Sequence, residues 1–237
     1  IASNDFFAVS KDVVSKMIAG EYTAKQAYRA FNTQLLAEEA PAADEIVLTS
    51  GKSYSNVFHA NGGSAAFSVM ANTLRGVYGT DVLLATANSF TGSVLKADYT
   101  QKMADSMIMP NGLLSRQRTM TGAELKETVR AYVEGCEGGF VSFNRGSLPI
   151  VSGIAVEVKE ASGSYTLTGI TRNGQPLGDN DTVTVTCLAT EKQLDTLLAS
   201  ESGTSAGEDA WVKDTWCDYV SDGGAALAEP ENYMTLR

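Results

Sequence analysis

Histidine and cysteine are scarce in this chain, and long apolar runs are missing. One histidine, His59, stands among 237 residues. A hydrolase that works with two cations needs several His and Asp ligands to hold them a few ångströms apart, and one histidine cannot supply that set. His59 instead reads as a loop residue beside Asn61-Gly62-Gly63. The three cysteines, Cys136, Cys187 and Cys217, form no Cys-x-x-Cys pair, which excludes zinc and thioredoxin-type motifs. Their odd number excludes a full disulfide framework. Two readings stay open: small apolar residues in or near a core, or one disulfide. The longest apolar runs, such as Val82-Leu83-Leu84-Ala85, fall far short of the ~20 residues of a bilayer-spanning helix. Positive charge is short too. The 18 Lys and Arg oppose 28 Asp and Glu, a net charge of −10. That argues against nucleic acid or a membrane surface as a general partner. The chain opens on Ile1 with neither Met nor a basic signal-peptide region, so it reads as a processed or truncated product, which leaves room for an export signal or anchor before it.

What is present is globular. An apolar share of 43% with 19% charged residues excludes a disordered tail, and the length suits one large domain or one and a half ordinary ones. The first forty residues carry helical patterns. Val13, Val14, Met17 and Ile18 make a short apolar face, and Gly20 interrupts it. Thr23 and Gln26 form a capping box ahead of Ala24, Ala27, Tyr28, Phe31 and Leu35. Residues 37–44, rich in Ala, Glu and Pro, read as a linker. The expected division is therefore a helical extension and linker over 1–44 and a main domain over 45–237.

The main domain alternates strand and helix signals. A strand is expected at 45–49, a helix at 64–75 stopped by Gly76, and a strand buried on both faces at 81–85. Asp98 and Gln101 can cap a short helix. Residues 113–120 read as extended, and Thr121 with Glu124 forms a second capping box before a helix bearing Leu125, Val129, Tyr132 and Val133. Ile154, Val156 and Val158 alternate with Ala155, Glu157 and Lys159, the period of a half-buried strand. Ser162-Gly163 and Asn173-Gly174 are turn signals, the second a strong hairpin mark because both residues tolerate positive φ. Val183, Val185 and Cys187 define another strand. Thr190 and Gln193 cap a helix with Leu194, Leu197 and Leu198, and Val212, Trp216, Tyr219 and Val220 mark a last one.

Three local patterns fail on their own chemistry. Gly51-Lys52-Ser53 ends like a phosphate-binding loop, yet the glycine needed five positions earlier is Ile46. Gly203-Thr-Ser205-Ala-Gly207 imitates a nucleophile elbow, but a helix precedes it and no histidine follows it, so it reads as a flexible loop. Arg116 and Arg118, two apart on an extended strand, could clamp an anion; a solvated strand face is the plainer expectation.

From residue 45 onward the order of short motifs resembles the C-terminal domain of the 5′-nucleotidase family. Gly63-Ser-Ala-Ala-Phe-Ser-Val-Met-Ala-Asn-Thr-Leu-Arg75 is similar to that family's Gly-Asn-Leu…Ala-Asp-Ala…Arg helix, and Gly79-Thr-Asp81-Val-Leu-Leu-Ala85 to the strand after it. Met109-Pro110 followed by Thr121-Gly122-x-Glu124-Leu125 aligns without a gap on its Pro-Phe-Gly-Asn…Thr-Gly-x-x-Leu block. Leu148-Pro149-Ile-Val151-Ser152-Gly153, Asn173-Gly174-Gln-Pro176-Leu177 and Glu229-Pro230-Glu231 match further landmarks in order.

The resemblance implies an α+β fold, a mixed sheet covered by helices. It also implies export to the cell surface, periplasm or outside. In that family a separate metal-bearing domain hydrolyses the substrate, while this domain holds the nucleoside between two phenylalanines. Carried over, the ligand-binding positions are Asn88, Phe90, Pro110, Asn111 and Leu113, with no catalytic residue, no metal and no cofactor in this chain. The first stacking Phe falls at Asn111 and the neighbouring Asn at Leu113. The stretch after Cys187 has no Phe, and no arginine occurs between Arg75 and Arg116. Phe90 or Tyr99 could replace one aromatic face. The expected function is a non-catalytic ligand-binding or interaction module with a degenerate nucleoside pocket, its partner an unidentified small molecule or partner domain. The alternatives are the substrate-recognition half of a nucleotide hydrolase whose metallophosphoesterase domain is absent from this chain, and an enzyme with an unrecognised site.

Overall fold

The computed structural model describes residues 46–58, 63–108, 112–134, 149–162, 164–198, 203–222 and 225–237, with 16 and 18–20. The chain divides into two compact units, 1–45 and 46–237. In the first, Lys16 and Ile18 are helical and Gly20 turns the backbone at φ 74°. The Thr23 capping box, the 37–44 linker, His59, Pro110, Asn111 and Cys136 lie outside the described residues.

The second unit begins with strand β1 (Ile46–Ser50), helix α1 (Ala65–Tyr78) and strand β2 (Val82–Thr86). Strand β3 (Ala97–Thr100) leads into the short helix α2 (Gln101–Asp105), and strand β4 (Leu114–Thr121) into helix α3 (Gly122–Glu134). Strands β5 (Pro149–Ser152), β6 (Ala155–Ala161), β7 (Ser164–Arg172), β8 (Gln175–Pro176) and β9 (Thr182–Ala189) follow. Helix α4 (Glu191–Leu197), the two-residue strands β10 (Thr204–Ser205) and β11 (Ala210–Trp211), helix α5 (Val212–Ser221) and strand β12 (Met234–Leu236) complete it.

The main sheet runs β10-β4-β9-β2-β5, with β11 also on β4. Among the described strands of this sheet only β2 and β9 are parallel; β4 pairs antiparallel with β9 along its whole length. A second sheet runs β12-β6-β7-β8, and β1 with β3 makes a two-stranded ribbon. Helix α1 packs on β2 and β5, α3 on β4 and β7, and α4 on β9. The fold is thus α+β, with open mixed sheets covered by helices.

Apolar periodicity explains the covering. Val82, Leu83, Leu84 and Ala85 are all fully buried, because β2 is central and has helix or core on both faces. Burial of each such Val or Leu contributes about 1.5–3 kcal/mol. Leu125, Val129, Tyr132 and Val133 form the inner stripe of α3. Its start is closed as a reciprocal box: the Thr121 amide donates to Glu124 Oε2 at 2.7 Å, and the Glu124 amide to Thr121 Oγ1 at 3.2 Å. The Thr190–Gln193 box opens α4 the same way. Trp216 of α5 is fully buried and donates its indole N–H to the Ala104 carbonyl at 2.8 Å, which docks α5 on α2.

Three expectations need correction. Helix α1 runs through Gly76 and stops at Gly79, whose φ of 64° is the left-handed cap. A glycine ends a helix when the backbone turns left-handed there, and Gly76 keeps helical geometry. Asp98 is a β3 residue that accepts from Thr49 Oγ1 at 2.8 Å; the cap of α2 is Thr100, which accepts from the Met103 amide. The segment 203–207 is not a free loop, since Thr204 and Ser205 pair with Thr119 and Arg118 of β4.

Two glycines are fixed by close approach. A Cβ on Gly122 would lie 1.9 Å from the Gly178 carbonyl oxygen, and one on Gly153, at φ 82°, 2.0 Å from the Asp81 carbonyl oxygen. Gly112 is left-handed as well, at φ 65°, but faces open space. Gly112→Ala should therefore cost about 1–2 kcal/mol of left-handed strain alone. Gly153→Ala adds a backbone collision and should cost about 3 kcal/mol or more. Urea denaturation of the two variants checks this; equal losses would mean that the Asp81 strand shifts aside freely.

Candidate functional site

Strands β2 and β9 are parallel and end at the same edge of the main sheet. Leu84 is level with Cys187, Leu114 pairs with Ala189, and Thr86 with Pro149. The register therefore brings together the turn at Ala87–Ser89, the chain entering β4 at Leu113, and the start of α4 at Thr190. In open sheets the carboxyl ends of parallel strands are where loops gather around ligands.

The sequence-derived site residues divide at this edge. Asn88 is exposed on a 3₁₀ turn. Phe90 is 4% exposed. Its ring lies 5.9 Å from that of Phe67, tilted by 38°, and Phe67 meets Phe58 edge-on at 5.7 Å. Leu113 is half-buried, and its carbonyl accepts from the Val212 amide at 3.1 Å. Pro110 and Asn111 lie outside the described residues. Tyr99 is buried, with its hydroxyl donating to the Leu95 carbonyl at 2.9 Å. Sequence reasoning missed Ser89, whose fully buried hydroxyl has no hydrogen-bond partner among the described residues. Its position beside Asn88 was the only signal for it.

The other singled-out residues are structural. Arg116 is neither a solvated strand residue nor an anion clamp. Its guanidinium, 14% exposed, meets Asp209 at 2.6 Å and Asp195 at 2.8 Å. Hydrogen bonds to these two carboxylates raise its pKa, and Arg116 in turn holds the Asp209 carboxyl below its ordinary value. Lys52 pairs with Glu229 at 2.7 Å. Cys187 and Cys217 are free thiols. Burial pushes Cys187 up to about 12 and Cys217 up to about 11, with Cys217 donating to Asp105 at 3.2 Å. Among the described residues, no group of three or more His, Cys, Asp or Glu side chains could hold a metal ion.

The short motifs meet at the opposite edge of the sheet. Arg75 Nε donates to Ser152 Oγ at 2.8 Å, and Ser152 Oγ donates to Asn72. Asn72 then donates to the Glu229 carbonyl at 2.8 Å, while Ser68 Oγ donates to the Glu231 carbonyl at 2.9 Å. Helix α1, strand β5 and the segment before β12 are thereby tied in one chain of hydrogen bonds. Beside them the Asp81 carboxylate accepts from the Thr184 amide at 2.9 Å, the Thr184 hydroxyl at 3.0 Å and the Arg172 guanidinium. Asn173 and Gly174, at φ 52° and 76°, make the expected hairpin turn.

Solved structures share this fold. A 5′-nucleotidase precursor from Thermus thermophilus matches 90% of the chain at a TM-score of 0.61 and 14% identity. The NAD nucleotidase of Haemophilus influenzae matches 91% at 0.60 and 18%, and the sulfate thiohydrolase of Thermus thermophilus, in complex with glycerol, 90% at 0.62 and 13%. The chain spans 43%, 42% and 39% of their respective lengths, about two-fifths of each. No family model matches the sequence, and no curated protein does. At these identities the likeness is one of fold, and it is the 5′-nucleotidase C-terminal-domain-like fold that the motifs imply.

Asp81 is the group of this network whose charge can be tested. Burial opposes its ionisation, but the Thr184 and Arg172 hydrogen bonds outweigh that and hold its pKa below the ordinary 3.8. A carboxyl depressed on folding contributes stability that is complete above its unfolded pKa and is lost as pH falls through the native one. Asp81→Asn should cost about 1–3 kcal/mol at pH 7. The gap to the parent should narrow below about pH 4. Urea midpoints of both proteins at pH 7 and pH 3 measure it, and a gap independent of pH would refute the assignment.

Proposed function

We propose that this chain is a non-catalytic ligand-binding or interaction module with a nucleotidase-related scaffold and a degenerate nucleoside pocket. The seat is the sheet edge carrying Asn88, Phe90 and Leu113, to which the sequence resemblance adds Pro110 and Asn111. What supports this reading above all is the register that draws Asn88, Leu113 and the start of α4 to one edge. Two further features argue that the nucleoside groups are lost. Phe90 has its ring packed on Phe67, and Asn111 stands where the resemblance expects a stacking Phe. Base–aromatic stacking is worth ~1–3 kcal/mol per face, so losing two faces weakens binding by ~30-fold to more than 10⁴-fold. Export follows from the same resemblance and is part of the proposal, as is independent folding of residues 45–237 without 1–44.

One observation favours a second reading. The chain spans about two-fifths of the nucleotidase structures it resembles. It could then be the recognition half of a nucleotide hydrolase whose metallophosphoesterase part lies outside this sequence.

Titration calorimetry separates the two. Under the first reading adenosine and AMP give no detectable heat of binding below about 1 mM. The isolated chain also leaves AMP, ADP and aryl phosphates unhydrolysed with Mn²⁺, Co²⁺ or Zn²⁺ present. A low-micromolar dissociation constant that Asn111→Ala weakens would overturn this reading and establish the second. Chelator-sensitive turnover that tracks the purified chain would refute both.

A further inference from the structure

We propose that a cleft at the opposite edge of the main sheet is a binding site for a small zwitterion of the amino-acid type. The cleft has a volume of about 450 Å³ and is lined by Arg75, Asp81, Arg172, Asn173, Glu231 and Asn232, among others. That volume falls within the range of small-molecule sites.

The charges in the cleft are balanced and unevenly committed. Asp81 is saturated by Thr184 and Arg172. Arg172 uses Nη2 for that bond, and Arg75 uses Nε for Ser152. The other N–H groups of both guanidiniums have no hydrogen-bond partner among the described residues. A guanidinium carries five donors in a planar fork that fits a carboxylate, so the site keeps donor capacity for one. Glu231 stands 4.0 Å from Arg75 Nη2, beyond hydrogen-bond reach, and its side chain is 55% exposed. It is a loose counter-ion, available to an incoming ammonium.

Helix α1 selects between ligand classes. Its C-terminus, Tyr78 followed by Gly79 and Thr80, borders the cleft and contributes about half a negative charge. Two arginines against Asp81, Glu231 and that helix end leave no excess of positive charge. A free dianion is therefore opposed, and a bare cation meets two guanidiniums. A zwitterion satisfies both halves: its carboxylate takes the open arginine donors, and its ammonium takes Glu231 and the helix end. It also incurs no long-range penalty from the net charge of −10. The Asn173 and Asn232 amides offer partners for a polar side chain.

The test is a titration of the full chain with L-glutamine, acetate and ethylamine, followed by amide chemical shifts. Glutamine should give saturable shifts at Thr80, Gly153 and Gly174, while acetate and ethylamine should not saturate at the same concentrations. Glu231→Gln, on an exposed side chain, should weaken glutamine about tenfold, and Arg75→Gln at least as much. Arg75→Lys keeps the charge without the fork; it should bind weakly, and a cooperative melt, lowered by loss of the Ser152 bond, shows that it is folded. Equal responses to glutamine and acetate, indifference to Glu231→Gln, or shifts centred on Asn88 and Leu113 would each overturn the proposal.

Discussion

The carboxylate of Asp81 is the joint on which the two sheets of the main unit depend. It sits just before β2, accepts two hydrogen bonds from Thr184 of β9, and takes the guanidinium of Arg172 from β7. One side chain thus fixes the register of the parallel pair at the heart of the main sheet and anchors the second sheet to it. The Asp81 carbonyl adds a steric condition, because Gly153 passes so close that no Cβ fits. Strand β5 therefore enters β6 along one route only. The six-residue network of Ser68, Asn72, Arg75, Ser152, Glu229 and Glu231 carries the same tie to the C-terminal strand. Buried polar groups of this kind are costly when unpaired, so each member constrains the next.

Local features of this fold were legible because their causes are local. The boxes at Thr121 and Thr190, the alternation from Ile154 to Val158, the Asn173-Gly174 turn and the stripe of Leu125, Val129 and Val133 each depend on residues a few positions apart. Gly76 and Gly79 show the limit. Both can stop a helix, and only the backbone that follows decides which one does. The same holds for Asp98, which has a capping box's spacing but is drawn into β3 by its pairing with Thr49 of β1.

Long-range partners were not legible. Nothing near Arg116 announces Asp209, 93 residues later, or Asp195, 79 residues later. Those carboxylates turn a solvated strand residue into a tie that holds segment 204–211 against the edge of β4. Without it, β4 would present an open row of backbone groups, the kind of edge that invites unwanted pairing. The candidate site was half legible for a related reason. The order of motifs suggests its loops, but Phe90 is an aromatic whose surroundings, Phe67 and the bridge to Ile108, come from elsewhere in the chain.

The two edges of the main sheet differ in how tightly their residues are tied to one another. Arg75, Asp81, Ser152-Gly153, Asn173-Gly174 and Glu231, which carry the resemblance, crowd the edge where β2 begins and β5 ends. There each residue satisfies another's hydrogen bond or avoids a backbone collision, so a change at one strands its partner. At the other edge lie Asn88, exposed on its turn, and the half-buried Leu113. A change of the exposed Asn88 side chain orphans no buried group, and the fold tolerates it. A scaffold built this way keeps its shape independently of what it recognises. That is why a likeness of fold at 13–18% identity fixes the architecture here and leaves the ligand to the chemistry of the loops.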